Sequence, residues 1–218
     1  MSKYVLVPDS FKGTMTSREI CEIMQHAIER IDSDAKIISV PVADGGEGSV
    51  DAFLSALGGK RKAITVTGPH FEKLSSSYGI TDDGTAVIEM SACAGLPLVY
   101  GKKNPELTTT YGVGELICNA ARSGARRIVI GLGGSATNDG GCGAAAAAGI
   151  KFYDKSGKSF IPVGRTLKDI ASIDYSGLDS ALSGVSISAM CDVDNPLLGE
   201  TGAANVFGPQ KGANVAMI

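Results

Sequence analysis

A glycine-rich segment between two small-residue runs limits what this chain can fold into. Residues 131–143 read GLGGSATNDGGCG, with the largely apolar residues 127–130 before them and five alanines after them. This order predicts a strand, a tight turn and a helix. Glycine lets backbone N–H groups approach a ligand, and a helix N-terminus adds free N–H groups and a partial positive charge. The segment therefore predicts a phosphate site; the alternative is a purely structural turn.

Composition excludes several classes of protein. Of the 218 residues, 44% are hydrophobic and 20% charged, which is typical of a soluble globular protein. The net charge is −3 without a long basic cluster, so a nucleic-acid partner is not expected. We expect no membrane span and no signal peptide, and therefore a cytoplasmic protein. The five cysteines are widely spaced without a CxxC pair, which predicts free thiols.

The apolar patterns predict an α/β fold. Residues 4–7 and 37–42 are expected strands, residues 49–57 an expected helix, and Thr16 or Ser17 an expected cap of another helix. Strands are also predicted at residues 63–67, 76–80 and 86–90, followed by a helix at 111–123 and strands near 128 and at 185–190. The first part is strand–helix–strand–loop–helix, which begins a parallel sheet.

The change of pattern near residues 60–62 predicts a domain boundary. We therefore expect residues 1–62 to form the first part of one α/β domain and residues 63–218 to form a second. The first domain has only two clear strands, and the Gly- and Asn-rich loop at 199–212 is followed by only six residues. Both features predict that these residues belong to a longer chain.

Polar side chains concentrate in loops that follow predicted strands. The first loop carries Asp9, Ser10 and Lys12, and the last carries Asp192 with Asn195. Between them lie the loop at residues 43–48, with Asp44, and the glycine segment at 131–143. In open α/β sheets, ligands bind outside the carboxyl ends of strands. A carboxylate such as Asp192 can hold Mg²⁺ or accept a hydroxyl proton.

Three functions are compatible with these loops. Phosphoryl transfer needs backbone N–H donors, a lysine, a metal and a carboxylate, and all these residue types are present, although no GxxxxGK[ST] pattern occurs. A nicotinamide-dependent oxidoreductase is the second candidate, because Gly131, Gly133 and Ala136 give a loose dinucleotide match. A non-catalytic anion-binding domain is the third.

Five segments in order resemble one family. They are PDSFKG at residues 8–13, ADGGEG at 43–48, GLGGSATNDGG at 131–141, CDVDNPL at 191–197 and VFGPQKGA at 206–213. Together they resemble the bacterial glycerate kinase type 1 family. The resemblance implies ATP- and Mg²⁺-dependent phosphorylation of D-glycerate, with the 2-position favoured over the 3-position. It also implies two α/β domains, one flavodoxin-like and Rossmann-like and one mixed, with the active site in the cleft between them.

The resemblance leads to a hypothesis for the site. Lys12 and Asp192 are the expected catalytic residues, with Asp192 orienting or deprotonating the attacking hydroxyl. The expected nucleotide-binding residues are Gly45, Gly46, Gly133, Gly134, Ser135, Thr137 and Asn138. The expected substrate-binding residues are Asp9, Ser10, Lys12, Asn195 and Lys211. Asp44, Asp139 and Asp192 are the candidate Mg²⁺ ligands, and the separate roles of these carboxylates stay open.

Members of the family are considerably longer than this chain. The resemblance implies that the C-terminal part of the longer chain completes the flavodoxin-like domain. The expected partners are D-glycerate and a nucleotide, with a homodimer left open.

Overall fold

The computed structural model describes residues 1–11 and 13–218, so the predicted residue Lys12 lies outside the described residues. The described part confirms an α/β fold with parallel and mixed sheets. Its α-helices are α1 (Ser17–Glu29), α2 (Ser49–Leu57), α3 (Ser91–Ala94), α4 (Tyr111–Arg122), α5 (Cys142–Ala147) and α6 (Ala203–Phe207). Its strands are β1 (Lys3–Leu6), β2 (Lys36–Ser39), β3 (Lys60–Thr67), β4 (Lys73–Ile80), β5 (Thr85–Glu89), β6 (Arg127–Gly131), β7 (Lys151–Tyr153), β8 (Ser159–Phe160), β9 (Ser172–Asp174) and β10 (Ser186–Met190).

The N-terminal strands β1 and β2 form a parallel pair joined by α1. Thr16 caps α1: its hydroxyl accepts a hydrogen bond from the Glu19 N–H, and its own N–H donates to the Glu19 carboxylate at 2.7 Å. This reciprocal capping box satisfies donors that the helix itself leaves free. Thr16, rather than Ser17, is therefore the cap. The Ser17 hydroxyl instead donates to the Pro8 carbonyl and accepts from the Val42 N–H, which ties together the loops after β1 and β2.

A five-stranded sheet in the order β10-β6-β5-β4-β3 forms the centre of the structure. Strands β10, β6 and β5 run parallel to one another. Strand β4 pairs with β5 in the antiparallel direction, and β3 pairs with β4 in the same antiparallel way. Successive residues of a strand point to opposite faces. Tyr78 on β4 accordingly donates to Asn119 of α4, while the next residue, Gly79, lies against Val50 and Leu54 of α2. Helices therefore cover both faces of the sheet.

The core lies between this sheet and α4. Tyr78, Ile88, Leu116 and Ile128 are its largest fully buried members. The central strand β5 is buried along its whole length, as expected for a strand covered on both faces. Strands β8, β7 and β9 form a separate, smaller antiparallel sheet, in that order.

Helix α2 packs against β4 and β5, although it precedes the predicted domain boundary at residues 60–62. Strand β3 begins at Lys60, three residues before the predicted strand, because it pairs with β4 over eight residues. The division into residues 1–62 and 63–218 stays a prediction.

Candidate active site

The parallel strands of the central sheet end in one row. Glu89 at the end of β5 pairs with Gly131 at the end of β6, and Gly131 pairs with Met190 at the end of β10. The segments that continue from these residues therefore leave the sheet side by side. They are the α3 turn, the glycine-rich segment and the segment that contains Asp192. This edge is where parallel sheets usually bind their ligands.

The loop at residues 43–48 crosses the glycine-rich segment through main-chain contact. The Gly133 N–H donates to the Gly45 carbonyl at 3.1 Å. A Cβ on Gly133 would lie 2.8 Å from the Gly46 Cα, and a Cβ on Gly131 would overlap the Gly45 carbonyl. Glycine is needed at 131 and 133 because the backbones approach this closely. The structure thus brings together three of the predicted nucleotide-binding residues, Gly45, Gly46 and Gly133.

Asp139 occupies the helix N-terminus that the sequence suggested for phosphate. Its carboxylate is 1% exposed and accepts hydrogen bonds from the N–H groups of Gly141 and Gly143 at 3.0 and 3.2 Å. It also accepts from the N–H and the hydroxyl of Thr110, both at 2.8 Å. In this arrangement the Gly141 and Gly143 N–H groups are already bonded to a carboxylate. A negative side chain at the start of α5 interacts favourably with the helix dipole.

Lys211 also anchors the glycine-rich segment. Its ammonium group donates to the Ser135 hydroxyl at 2.9 Å and to the Thr137 carbonyl at 2.7 Å, and the residue is only 8% exposed. Burial lowers the pKa of Lys211, and the nearby Asp139 carboxylate acts in the opposite direction. Lys211 therefore joins two segments that lie 74 residues apart in the chain.

An open cleft of about 200 Å³ lies beside the glycine-rich segment. Four of the predicted site residues line it: Ser135, Thr137, Asn138 and Asp139. Its other lining residues are Met90, Thr110, Leu132, Gly140 and Gly141. Among these residues, Ser135, Thr137 and Asn138 carry hydroxyl or amide groups, which can donate hydrogen bonds to an anionic ligand.

The remaining predicted residues lie on the loops around this region. Asp44 directly precedes the glycines of the crossing in the chain. It is exposed and accepts a hydrogen bond from the Gly46 N–H at 3.1 Å. Asp192 is exposed two residues beyond Met190, whose carbonyl lies close to Gly45. The Asn195 amide donates to the Thr201 carbonyl at 2.9 Å and so shapes its own loop.

Asp9 and Ser10 lie on the loop after β1. Asp9 accepts a hydrogen bond from the Ser10 N–H at 2.7 Å. The Ser17 bridge described above connects this loop to the start of the 43–48 segment, so the structure links it indirectly to the glycine crossing. Among the described residues, neither Asp9 nor Ser10 forms a hydrogen bond with residues 131–143.

Sequence reasoning missed two contributors. The first is the buried run Thr108–Thr110: the Thr108 hydroxyl donates to the Ala136 carbonyl at 2.9 Å, and Thr110 binds Asp139. Three threonines directly before a helix are a signal that could have been noticed. The second is Glu89, a carboxylate at the end of an apolar strand.

The described residues contain neither a preformed metal cluster nor a membrane-spanning helix. Within residues 1–11 and 13–218, no group of three or more His, Cys, Asp or Glu side chains is arranged to hold a metal ion. Over the same residues, no helix has the length and apolar character that crossing a membrane requires.

A family model described as the glycerate kinase family matches residues 4–218. The chain belongs to the glycerate kinase family. It is 48% identical to a glycerate 2-kinase of Escherichia coli (strain K12) over 99% of this chain and 57% of that protein. It is also 48% identical to a glycerate kinase of Bacillus subtilis (strain 168), again over 99% of this chain and 57% of that protein.

A solved structure supports the assignment to the glycerate kinase family. A Salmonella typhimurium LT2 protein assigned as glycerate kinase 2 matches with a TM-score of 0.87 and 43% identity. The match covers all of this chain and 59% of that one. The chain therefore spans less than two thirds of the length of these relatives, which agrees with the predicted difference in length.

Proposed function

We propose that this chain carries the nucleotide- and substrate-binding loops of an ATP-dependent D-glycerate kinase. The observation that carries the proposal is the main-chain crossing of residues 43–48 and 131–133 at the edge where β10 leads to Asp192. Phosphoryl transfer depends on positioned N–H donors and charge-stabilising side chains rather than on covalent chemistry by the protein. The family membership and the names of the relatives support the same activity.

The part of the glycine-rich segment that precedes Asp139 is the part suited to phosphate. We assign the nucleotide phosphates to Gly133, Gly134, Ser135, Thr137 and Asn138 together with Gly45 and Gly46. The N–H groups of Gly141 and Gly143 are not part of this assignment, because Asp139 accepts hydrogen bonds from them. Lys211 would hold Ser135 in place for the phosphates through the bond described above.

The carboxylates differ in their suitability for Mg²⁺. Mg²⁺ in kinases is usually held by one or two carboxylates and by the phosphates of the substrate. Asp139 fits poorly, because its two oxygens already accept four hydrogen bonds. Asp44 fits better, since it is exposed beside the glycine crossing; Asp192 is also exposed, but we assign it to the attacking hydroxyl instead. Mg²⁺ bound there with ATP would offset the charge of the phosphates.

The remaining roles concern D-glycerate. We assign its carboxylate to Lys12 and the Asp9–Ser10 loop, and a further contact to Asn195. Asp192 would accept the proton of the attacking hydroxyl. In that step the hydroxyl oxygen forms a bond to the γ-phosphorus, the bond from this phosphorus to the bridging oxygen breaks, and ADP leaves with the electron pair.

The product would be 2-phosphoglycerate, in line with the name of the Escherichia coli relative. The five cysteines of the chain are free thiols, which supports a reducing cytoplasm as the compartment.

The activity is tested with the protein at its full encoded length. We expect ADP release that requires both D-glycerate and Mg²⁺, and ³¹P NMR of the product distinguishes 2- from 3-phosphoglycerate. Phosphate binding without turnover would instead support an anion-binding domain. A shift of NADH fluorescence without ATP binding would support an oxidoreductase. Either of these two results would overturn the proposal.

Replacement of Asp192 by Asn tests the assigned proton acceptor. We expect kcat to fall by about 10²- to 10⁴-fold, the usual contribution of a positioned general base, with little change in the melting temperature. Asp194→Asn is the matched control, because Asp194 is an exposed carboxylate in the same segment. Equal kcat values for the two variants would remove Asp192 from the mechanism.

A further inference from the structure

The buried carboxylate of Glu89 has no part in the proposed chemistry, yet it lies at the sheet edge from which the glycine-rich segment leaves. Glu89 is the last residue of β5, level with Gly131 and through it with Met190. It is only 7% exposed. Acidic side chains are seldom buried to this extent without a specific partner, because removal of a charge from water is costly.

The partner of Glu89 is the start of helix α2. Its Oε1 accepts a hydrogen bond from the Val50 N–H at 2.7 Å, although the two residues are 39 positions apart. Val50 is the second residue of α2, so its N–H is one of the donors that a helix leaves free. The N-cap of α2 is Gly48, which has no side chain to satisfy this donor. Glu89 therefore caps α2 from another element of the fold.

This cap lies at the C-terminal end of the loop that crosses the glycine-rich segment. Residues 43–48 lead into α2, and their front end is held by the hydrogen bond from Gly133 to Gly45. Their rear end continues into the turn that Glu89 fixes. The loop is thus attached at both ends to the same row of strand ends.

The groups around Glu89 shift the pKa of its carboxyl in opposite directions. Burial raises the pKa of the Glu89 carboxyl, and the Val50 N–H acts against this. Asp51 and Glu47 also raise its pKa, whereas Arg61 lowers it. Either protonation state can still accept the Val50 hydrogen bond.

We propose that Glu89 is a positioning residue that holds the 43–48 loop in place for the nucleotide by capping α2. This inference rests on the proposed kinase function only where it concerns the effect of Glu89 on ATP binding. Its structural content, the attachment of the loop, can be measured without any activity.

Hydrogen–deuterium exchange of the Glu89→Ala variant tests the attachment. We expect the amides of residues 43–52 to exchange about tenfold faster, because the Val50 donor loses its acceptor. Glu89→Gln keeps an acceptor oxygen and should restore slow exchange. Glu115→Ala is the matched control, since the Glu115 carboxylate likewise accepts a backbone N–H, that of Thr67, away from this loop.

Kinetics of the full-length protein give the second readout. We expect Glu89→Ala to raise the KM for ATP about 10- to 100-fold with a smaller change in kcat, and Glu89→Gln to recover most of it. Unchanged exchange at residues 43–52 in Glu89→Ala would overturn the inference, as would an equal change in Glu115→Ala. If the parent protein releases no ADP, the proposed function fails and the exchange result still decides the role of Glu89.

Discussion

Two charged residues at this site are buried, and their hydrogen bonds hold the surrounding loops in place. Asp139 and Lys211 are both buried, and both bind groups of the glycine-rich segment or of the elements beside it. Asp139 fixes the start of α5 to Thr110 just before α4, while Lys211 fixes Ser135 and Thr137. The segment is therefore held by a buried carboxylate and a buried ammonium group.

Replacement of Lys211 by Met tests how far the ammonium group sets this shape. Methionine has a similar length but leaves the Ser135 hydroxyl and the Thr137 carbonyl without their donor. We expect a loss of about 1–3 kcal/mol in the free energy of unfolding, measured with urea. Lys103→Met is the control, because exposed Lys103 also donates to a carbonyl, that of Gln210, and should cost less than about 0.5 kcal/mol.

The pH dependence of this variant has a defined sign. Because burial lowers the pKa of Lys211, the unfolded chain binds more protons than the folded one between that lowered pKa and the ordinary value of 10.5. The stability contributed by the parent residue therefore rises with pH across this window, and Lys211→Met should lack the rise. Parallel pH profiles for the two proteins, or equal stability of Lys211→Met and Lys103→Met, would contradict the role of Lys211.

Secondary-structure elements meet at the site through their loops. The contact between residues 43–48 and 131–133 consists of main chain against main chain, and it joins the N-terminal part to the central sheet. Any side chain at Gly131 would have to displace the Gly45 carbonyl. The geometry of the site therefore depends on the absence of side chains at the crossing.

The variant Gly131→Ala tests this dependence. Overpacking of a rigid contact typically costs about 1–3 kcal/mol, so we expect lower stability together with faster amide exchange at residues 43–48. Gly177→Ala provides a comparison, because its Cβ would lie 2.7 Å from the Gly149 carbonyl, at a second glycine–glycine contact. It should lose stability but keep slow exchange at residues 43–48. Unchanged exchange in Gly131→Ala would show that the loops can separate without cost.

The sequence predicted local elements better than it predicted their contacts. Helix α2 was predicted with the bounds Ser49–Leu57, because the glycines at 58 and 59 give a clear end signal. Strands β8 and β9 have only two and three residues, which is too short for a periodic pattern. The role of Asp139 could not be foreseen, because its partner Thr110 is 29 residues away and no spacing rule connects them.

At the scale of the whole molecule, burial is unequal between the parallel pair β1–β2 and the central five-stranded sheet. Strand β5 is buried at every residue, whereas Leu6 is the only buried residue of β1 and β2 has none. A two-stranded sheet is marginal in water unless other elements cover it. The chain also spans only 57% of the length of its Escherichia coli relative.

The unequal burial of the two sheets predicts unequal protection of their backbone amides in the 218-residue chain. We expect amides of β1 and β2 to exchange at least about tenfold faster than those of β5 and β6, after correction for intrinsic rates, because few apolar contacts oppose local opening. Hydrogen–deuterium exchange with peptide-level resolution measures this directly. Equal protection in the two sheets would mean that β1 and β2 are held by interactions that their burial does not reveal.

The crossing of two glycine loops also bears on how relatives of this chain can diverge. The contact itself is made by peptide groups, and the side chains that support it, such as Glu89 and Lys211, are buried. Residues that face the cleft, such as Asn138, can therefore change during evolution without a change in the scaffold beneath them. A fold built in this way can acquire a new ligand preference through a few outward-facing replacements.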